Sequence, residues 1–553
     1  MLIIEPDMFG AIGQIVKEVA AGDLDTKLAA IVERRPLAPL PCVTKGHIVS
    51  GNAVAPSCDD SDRSTFGGMH VQYLPAIRAL FPGLSTGTIM LDNAGGSQLP
   101  RCVIDAMREY MERSFVQLGG DCAMSKRASA VIPRAREVVK VFLGGHEAVN
   151  GGTAGPAIGA GMGEVVFGSS STVLCYELAA AYADARDACR DPDAAPVDLR
   201  EHFAKKATAR GSDGDGSLRD RLLARDRIVV CTAGHEANVG PWVRLALRGY
   251  TIVPWHVEPV RDVAGPDAGE VSWRPSLDTL RNLVNDRTLL VVVPQVSNIL
   301  GEVWDMCGAA EIAHAAGARI VVDGVAYTPH RAPRMQELGC DWYVYSMYKV
   351  FGPHMAAMFG THEAMGEIIG PNHYFLDSTA PYKWELGNAS HEAAAGVAAM
   401  WDFMQELCAI ANGGMAAAGK PGDWSLSPTR DVFDLAYSVI RGLEDRHTAQ
   451  IIDYLRSKPS VRIVGPRHAE ASRVGTISFT STKANPVQIS RHLGARDISM
   501  RAGHAYSKRL VEQLATDRGL HIDPAMGVAR LSLQHYNSPD ELALTCAALD
   551  EIV

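Results

Sequence analysis

From about residue 86 the chain alternates short apolar runs with stretches of helical spacing. Val165–Phe167, Arg227–Cys231, Thr251–Pro254, Leu289–Val293, Arg319–Val322 and Trp342–Tyr345 read as strands. Between them lie amphipathic helical segments such as Thr279–Val284 and Gly308–Ala315. Strand, helix and strand at this spacing predict an α/β fold with a large, mostly parallel sheet and helices on both faces. A ligand then belongs at the carboxyl ends of the strands. After Asp431 the pattern changes. A helix over Val432–Arg446, then Thr448–Ser457, leads to strands near Val461–Val464 and Gly475–Thr480. A helix at Val487–Leu493 and a strand at Val528–Leu533 follow, which reads as a smaller α+β domain. Upstream, residues 1–35 have the spacing of one or two amphipathic helices. Residues 36–85 are rich in Pro, Gly, Ser and Asp without sustained periodicity. The expected division is an N-terminal extension (1–85), a large domain (86–430) and a small C-terminal domain (431–553). Insertions are expected near 150–163, 184–226 and 413–427.

Composition narrows the class. At 47% hydrophobic residues the chain can build a sizeable core, so disorder is excluded as the dominant state. Lys and Arg total 53 against 63 Asp and Glu, a net charge of −10, and no basic stripe stands out. A nucleic-acid partner is not expected. No apolar run approaches the ~18 residues of a membrane span. The start, MLIIEPDMFG, lacks the basic and apolar regions of a secretory signal. Eleven cysteines, an odd number with no CxxC pair, point to free thiols in a reducing, cytoplasmic setting, and no metal site is expected.

The stretch Arg319–His354, RIVVDGVAYTPHRAPRMQELGCDWYVYSMYKVFGPH, carries the most chemistry. Its first strand ends in Asp323. Its second ends in Ser346, and Lys349 follows on the loop. An acid and a lysine at the ends of nearby strands face one crevice. Pyridoxal phosphate needs that pair: a lysine to form its Schiff base, and a carboxylate to keep its pyridine nitrogen protonated so that the ring accepts electrons. Ser170, Ser171 and Thr172 follow a strand and precede the helical stretch Leu174–Ala183. Hydroxyls and N–H groups at a helix N-terminus bind phosphate.

VVDGVAY and YSMYKVFGPH resemble the fold-type I, class V aminotransferase superfamily of pyridoxal-phosphate enzymes, which includes the cysteine desulfurases. Further segments resemble that family in the right order. They are Leu91–Gly96 (LDNAGG), Glu164–Thr172 (EVVFGSSST), Gly234–Asn238 (GHEAN) with Pro241-Trp242, Pro294–Gly301 (PQVSNILG), Met500–His504 (MRAGH), and Arg530–Ser532 with Tyr536-Asn537. The match spans about residues 86–553 apart from the insertions, and is nearest to the cysteine desulfurase-like proteins. The resemblance implies a seven-stranded-type sheet and a homodimer with the site at the subunit interface. It makes Lys349 and Asp323 cofactor ligands and His235 the ring-stacking histidine. Ser346 and Tyr348 become cofactor contacts, as does Asn298, which also serves the substrate carboxylate. Arg530 becomes the arginine for the substrate α-carboxylate, a group its planar fork fits bidentately. Ala94, Gly95, Arg501 and Tyr506 line the substrate side, and Asn388 falls where the family reaches the partner's phosphate.

Two positions depart from the family pattern. Desulfurases carry a nucleophilic cysteine where this chain has Tyr506, and no cysteine lies between Cys408 and Cys546. Ala326 stands where the family has Gln or His, leaving Tyr327 or Gln295 to compensate. The reading is therefore an enzyme acting on a small amino acid. After an α-proton passes to the freed lysine amine, expulsion of a β-substituent gives pyruvate and ammonia, the work of a C–S-type lyase. The alternatives are an aminotransferase, an epimerase, an atypical cysteine desulfurase using a cysteine such as Cys122, and a non-catalytic scaffold.

Overall fold

The computed structural model describes residues 66–144, 162–207, 218–261, 271–376, 381–413, 427–469 and 472–553. The helices expected in residues 1–35 lie outside the described residues, as do most of the insertions near 150–163 and 413–427 and the tip of the one at 184–226.

Seven strands form the central sheet: β1 (Gly163–Gly168), β2 (Arg227–Cys231), β3 (Thr251–Trp255), β4 (Thr288–Pro294), β5 (Arg319–Asp323), β6 (Trp342–Ser346) and β7 (Ala356–Thr361). Their order is β1-β7-β6-β5-β4-β2-β3, and only β7 runs antiparallel to its neighbours. Every residue of β4, TLLVVVP, is buried, as a strand covered on both faces requires. Alternate side chains feed two cores: Val291, Val293, Ile320 and Val322 face one side, Leu290, Val292, Val321 and Val344 the other. The second core is closed by the helices Ser171–Arg190 and Glu236–Arg244. The first is closed by Ala123–Phe142, Met306–Ala315 and Met400–Ala411.

β7 is an addition to the expected strands. Its sequence, AAMFGT, has three small residues and little strand signal, so its state is decided by pairing with β1 and β6. The two helices expected around His447 are one helix of 27 residues, Arg430–Arg456. His447 and Thr448 read as a break because they are polar, yet both are buried. The helix serves two cores: Phe433, Ala436 and Ile440 enter the large one, Ile451, Ile452 and Leu455 the C-terminal one.

The C-terminal sheet is antiparallel. It contains β8 (Val461–Val464), β9 (Thr476–Ser481), β10 (Arg501–Gly503) and β11 (Val528–Ser532), in the order β8-β9-β11-β10. Ile89 and Leu91 pack into this core, and Ile89–Met90 pairs in parallel with Ile498–Ser499. The helix Phe66–Ala79 supplies Ile77 to the large core.

Candidate active site

The register of the sheet fixes the floor of the site. Pro294 lies opposite Asp323, and Asp323 opposite Val344. Ser346 and Gly168 both face Ala356. The ends of β4, β5, β6 and β1 therefore open on one crevice. Asp323 is buried, and its Oδ1 accepts the Val325 N–H at 2.9 Å. Burial raises its carboxyl to about 6, held back by that N–H and by Lys349. Among the described residues no side-chain cation is bonded to it.

Lys349 sits in the short turn Met347–Lys349 after β6. It is half-buried, and burial together with the nearby Arg530 pushes its amine down to about 8, opposed by Asp323 and Asp92. Its Nζ lies 5.8 Å from the centre of the Tyr348 ring. The turn is held from beneath by Ser97, which sequence reasoning passed over. The Ser97 N–H donates to the Tyr348 carbonyl at 3.0 Å, and its Oγ accepts the Phe351 N–H at 2.8 Å. Phe351 has φ 61°, a conformation that non-glycine residues hold only when their surroundings impose it. A Cβ on Gly96 would come within 3.3 Å of the Tyr348 ring, so a larger residue would have to push that ring aside by a few tenths of an ångström.

Ser170 caps the helix Ser171–Arg190, its side chain accepting the Val173 N–H at 3.2 Å. Ser346 Oγ donates to Ser171 Oγ at 2.8 Å, joining the end of β6 to the helix start. Ser171 is buried and Thr172 exposed. A helix start with two buried hydroxyls is a ready anion site. His235 caps the helix Glu236–Arg244, its Nδ1 accepting the Ala237 N–H at 3.1 Å. Burial, with the charges of Lys349 and Arg530, lowers it to about 4, so the imidazole is neutral. Its ring lies 5.2 Å from that of Tyr506.

Arg530 on β11 is buried and stands directly opposite Arg501 on β10. Like charges across a strand pair repel. Asp92 resolves this: its Oδ1 accepts from Arg530 Nη2 at 3.1 Å and its Oδ2 from Arg501 Nη2 at 2.5 Å. Arg530 Nη1 donates to the Asn298 carbonyl, and its Nε has no partner among the described residues. Ala94 N–H is tied to Ser532 Oγ at 2.8 Å. A Cβ on Gly95 would crowd the Asp92 carboxylate at 3.1 Å. Asn298 is committed elsewhere than to a ligand: its Nδ2 donates to the Ala505 carbonyl at 2.8 Å and its Oδ1 accepts from Ser507 Oγ at 2.7 Å. The loop it holds carries Tyr506, which is exposed, with its carbonyl on the Glu236 N–H. Asn388 is exposed, on the segment after Glu385. Gln295 is buried beside the end of β5, its Oε1 accepting from Tyr343 OH at 2.7 Å.

These residues fit pyridoxal phosphate. Asp323 offers a buried carboxylate with no bonded cation to a ring nitrogen. The hydroxyl pair at the helix start offers donors to a phosphate. Asn238, inside the GHEAN segment, has a buried Nδ2 without a partner among the described residues, and its Oδ1 lies 3.7 Å from the Sγ of Cys175, whose thiol is pushed up by burial and by Asp323. Among the described residues no cluster of three His, Cys, Asp or Glu side chains is arranged to hold a metal ion.

The sequence model of the family described as aminotransferase class V matches residues 89–154, 178–411 and 432–544, more than half of the chain. The chain is 29% identical over 490 residues to the aminotransferase-like protein FGM3 of Gibberella zeae, covering 86% of this chain and 98% of that one. It is 24% identical over 485 residues to the cysteine desulfurase-like protein ustD of Aspergillus flavus, covering 86% and 90%. Among solved structures, the cysteine desulfurase CsdA of Escherichia coli superposes with a TM-score of 0.60 at 20% identity, over 87% of this chain and 99% of that one. The cysteine desulfurase of Thermococcus onnurineus NA1 gives 0.61 at 20% identity, over 86% and 97%. The fold is that of the fold-type I enzymes. The chain thus belongs to the class V aminotransferase family of pyridoxal 5'-phosphate-dependent enzymes.

Proposed function

We propose that the protein is a β-eliminating lyase, acting on the C–S or a related bond of an amino acid. The observation that carries the reading is the pairing of a lysine amine lowered to about 8 with a loop whose residue over His235 is Tyr506, not a thiol. Pyridoxal phosphate, when bound, supplies an electron sink for negative charge at the substrate α-carbon. Lys349 would anchor it, and its freed Nζ would take the α-proton. An amine that is neutral near pH 8 is suited to that task. Asp323 would keep the ring nitrogen protonated, and the neutral imidazole of His235 would help hold the ring. Arg530, already buried and oriented by Asp92 and the Asn298 carbonyl, holds the α-carboxylate. The proton on Lys349 Nζ can then pass to the departing β-substituent, and hydrolysis yields pyruvate and ammonia.

A desulfurase would need a thiolate near the substrate sulfur. Burial pushes up the thiols of Cys102, Cys175, Cys189, Cys231, Cys340, Cys408 and Cys546. A homodimer is supported by exposed apolar side chains: Val173 and Tyr176 in the first turns of the helix Ser171–Arg190, and Leu386, two residues before Asn388. Leu386→Glu, followed by sedimentation, should then yield monomer. A reducing, cytoplasmic setting is in keeping with nine unpaired described cysteines.

The test is the absorbance spectrum of the holoenzyme before and after L-cysteine and a panel of amino acids, with pyruvate and sulfide assayed together. Pyruvate with sulfide supports the lyase. Alanine with sulfur transfer would show desulfuration, conversion to the amine form of the cofactor transamination, and racemised substrate epimerisation. A protein with no cofactor band, even after pyridoxal phosphate is added, would be a scaffold.

A further inference from the structure

Beside the site, on the outer side of Asp92, lies a cleft of about 610 Å³ that the catalytic groups do not fill. Lys349, Asp323, His235 and Arg530 are not part of its lining. Its apolar wall is made by Leu99, Ile104 and Pro353. Arg501 and His354 are among the side chains in it that keep hydrogen-bonding capacity. Arg501 is 55% exposed at its side chain and gives only Nη2 to Asp92. His354 is exposed and lies flat on Tyr348, 4.9 Å between ring centres at 13°. The same Tyr348 ring lies under Lys349 Nζ. Asp92 holds Arg530 on its inner side and Arg501 on its outer side, so one carboxylate joins the site to the cleft. Two guanidinium groups share that single carboxylate, which leaves the outer one open to a second anion. A cleft of this size is in the range that holds molecules far larger than a free small amino acid.

We propose that this cleft is the subsite for the distal part of the substrate, and that the substrate's β-substituent is a flat, apolar group ending in a carboxylate. The carboxylate pairs with Arg501, and the flat group lies against His354 and the apolar wall. The proposal rests on the amine chemistry proposed for Lys349. In a lyase the corresponding reaction is R–S–CH2–CH(NH3+)–COO− plus water giving R–SH, pyruvate and ammonium. The α-proton and the leaving thiolate combine, and no oxidant is needed.

The holoenzyme should be titrated with S-(4-carboxybenzyl)-L-cysteine, S-benzyl-L-cysteine and L-alanine, following the change in the cofactor spectrum. The first should bind about tenfold or more tightly than the second. Arg501→Gln should abolish that preference. His354→Ala should weaken both aryl probes and leave L-alanine unchanged. Calorimetry with 4-methylbenzoate, which has no amine, tests the cleft apart from the chemistry. Binding in the wild type, lost in Arg501→Gln and absent with 4-methylbenzamide, is the expected result. Equal affinity for the two thioethers, or no heat with 4-methylbenzoate, overturns the subsite. A carboxylate preference without pyruvate overturns the lyase reading and leaves the subsite standing.

Discussion

Lys349 and Asp323 sit in one crevice with shifts that oppose their usual charge states. The folded chain lowers the lysine from 10.5 to about 8. Between those values the unfolded chain binds the proton and the folded one does not, so this residue makes stability rise as pH increases from about 8 towards 10.5. Urea unfolding of the cofactor-free protein should show wild type gaining on Lys349→Met across that window. Equal pH dependence of the two would refute the burial of this amine. Asp323 has the opposite sign: raised from 3.8 to about 6, it stabilises the fold at low pH and loses that contribution as pH rises through 6. Asp323→Asn should remove that slope.

The start of the helix Ser171–Arg190 and the end of β6 meet through one hydroxyl pair. If that junction holds the cofactor phosphate, Ser346→Ala removes a bond to a charged group, worth about 2 kcal/mol. Equilibrium titration with pyridoxal phosphate should then show roughly thirtyfold weaker binding. The 504–507 loop is a second element held by few contacts. Ala505 and Tyr506 both have positive φ, 43° and 61°, and Asn298 grips the loop from both sides. Asn298→Ala should lower stability by about 2 kcal/mol, the scale of losing buried hydrogen bonds. It should also speed amide exchange in residues 504–507, whereas unchanged exchange would mean the loop is held by other contacts.

Across the whole molecule, the segment after β11 reaches the turn of the reactive lysine through aromatic packing. His535, just after β11, is fully buried against Phe351, 5.1 Å between ring centres, and against Phe81 at 5.7 Å. Phe351 is two residues beyond Lys349. Burial, with His447 and His330 nearby, lowers His535 from 6.5 to about 3. Its protonation opposes folding, so stability falls on acidification below 6.5 through this group. His535→Phe should lose less stability than wild type between pH 6.5 and 4, measured by denaturant midpoint. An identical slope would show that the ring is hydrated and free to charge.

The sequence by itself determined the alternation of strands and helices, because strands buried on both faces must be continuous apolar runs such as Leu289–Val293. It also marked Asp323, Ser346 and Lys349 as neighbours, since a parallel sheet brings the ends of adjacent strands together. The serines at 170 and 171 were legible for the same reason: their helix starts at a strand end. Only the tertiary structure decided what depends on contacts far apart in the chain. β7 is a strand because two neighbours pair with it, and His447 lies buried within a helix that feeds two cores. Asn298 is occupied by a loop over 200 residues later, which no local pattern announces. Asp92 stands between two arginines because β10 and β11 set them opposite each other, and that register exists only once the C-terminal sheet has formed.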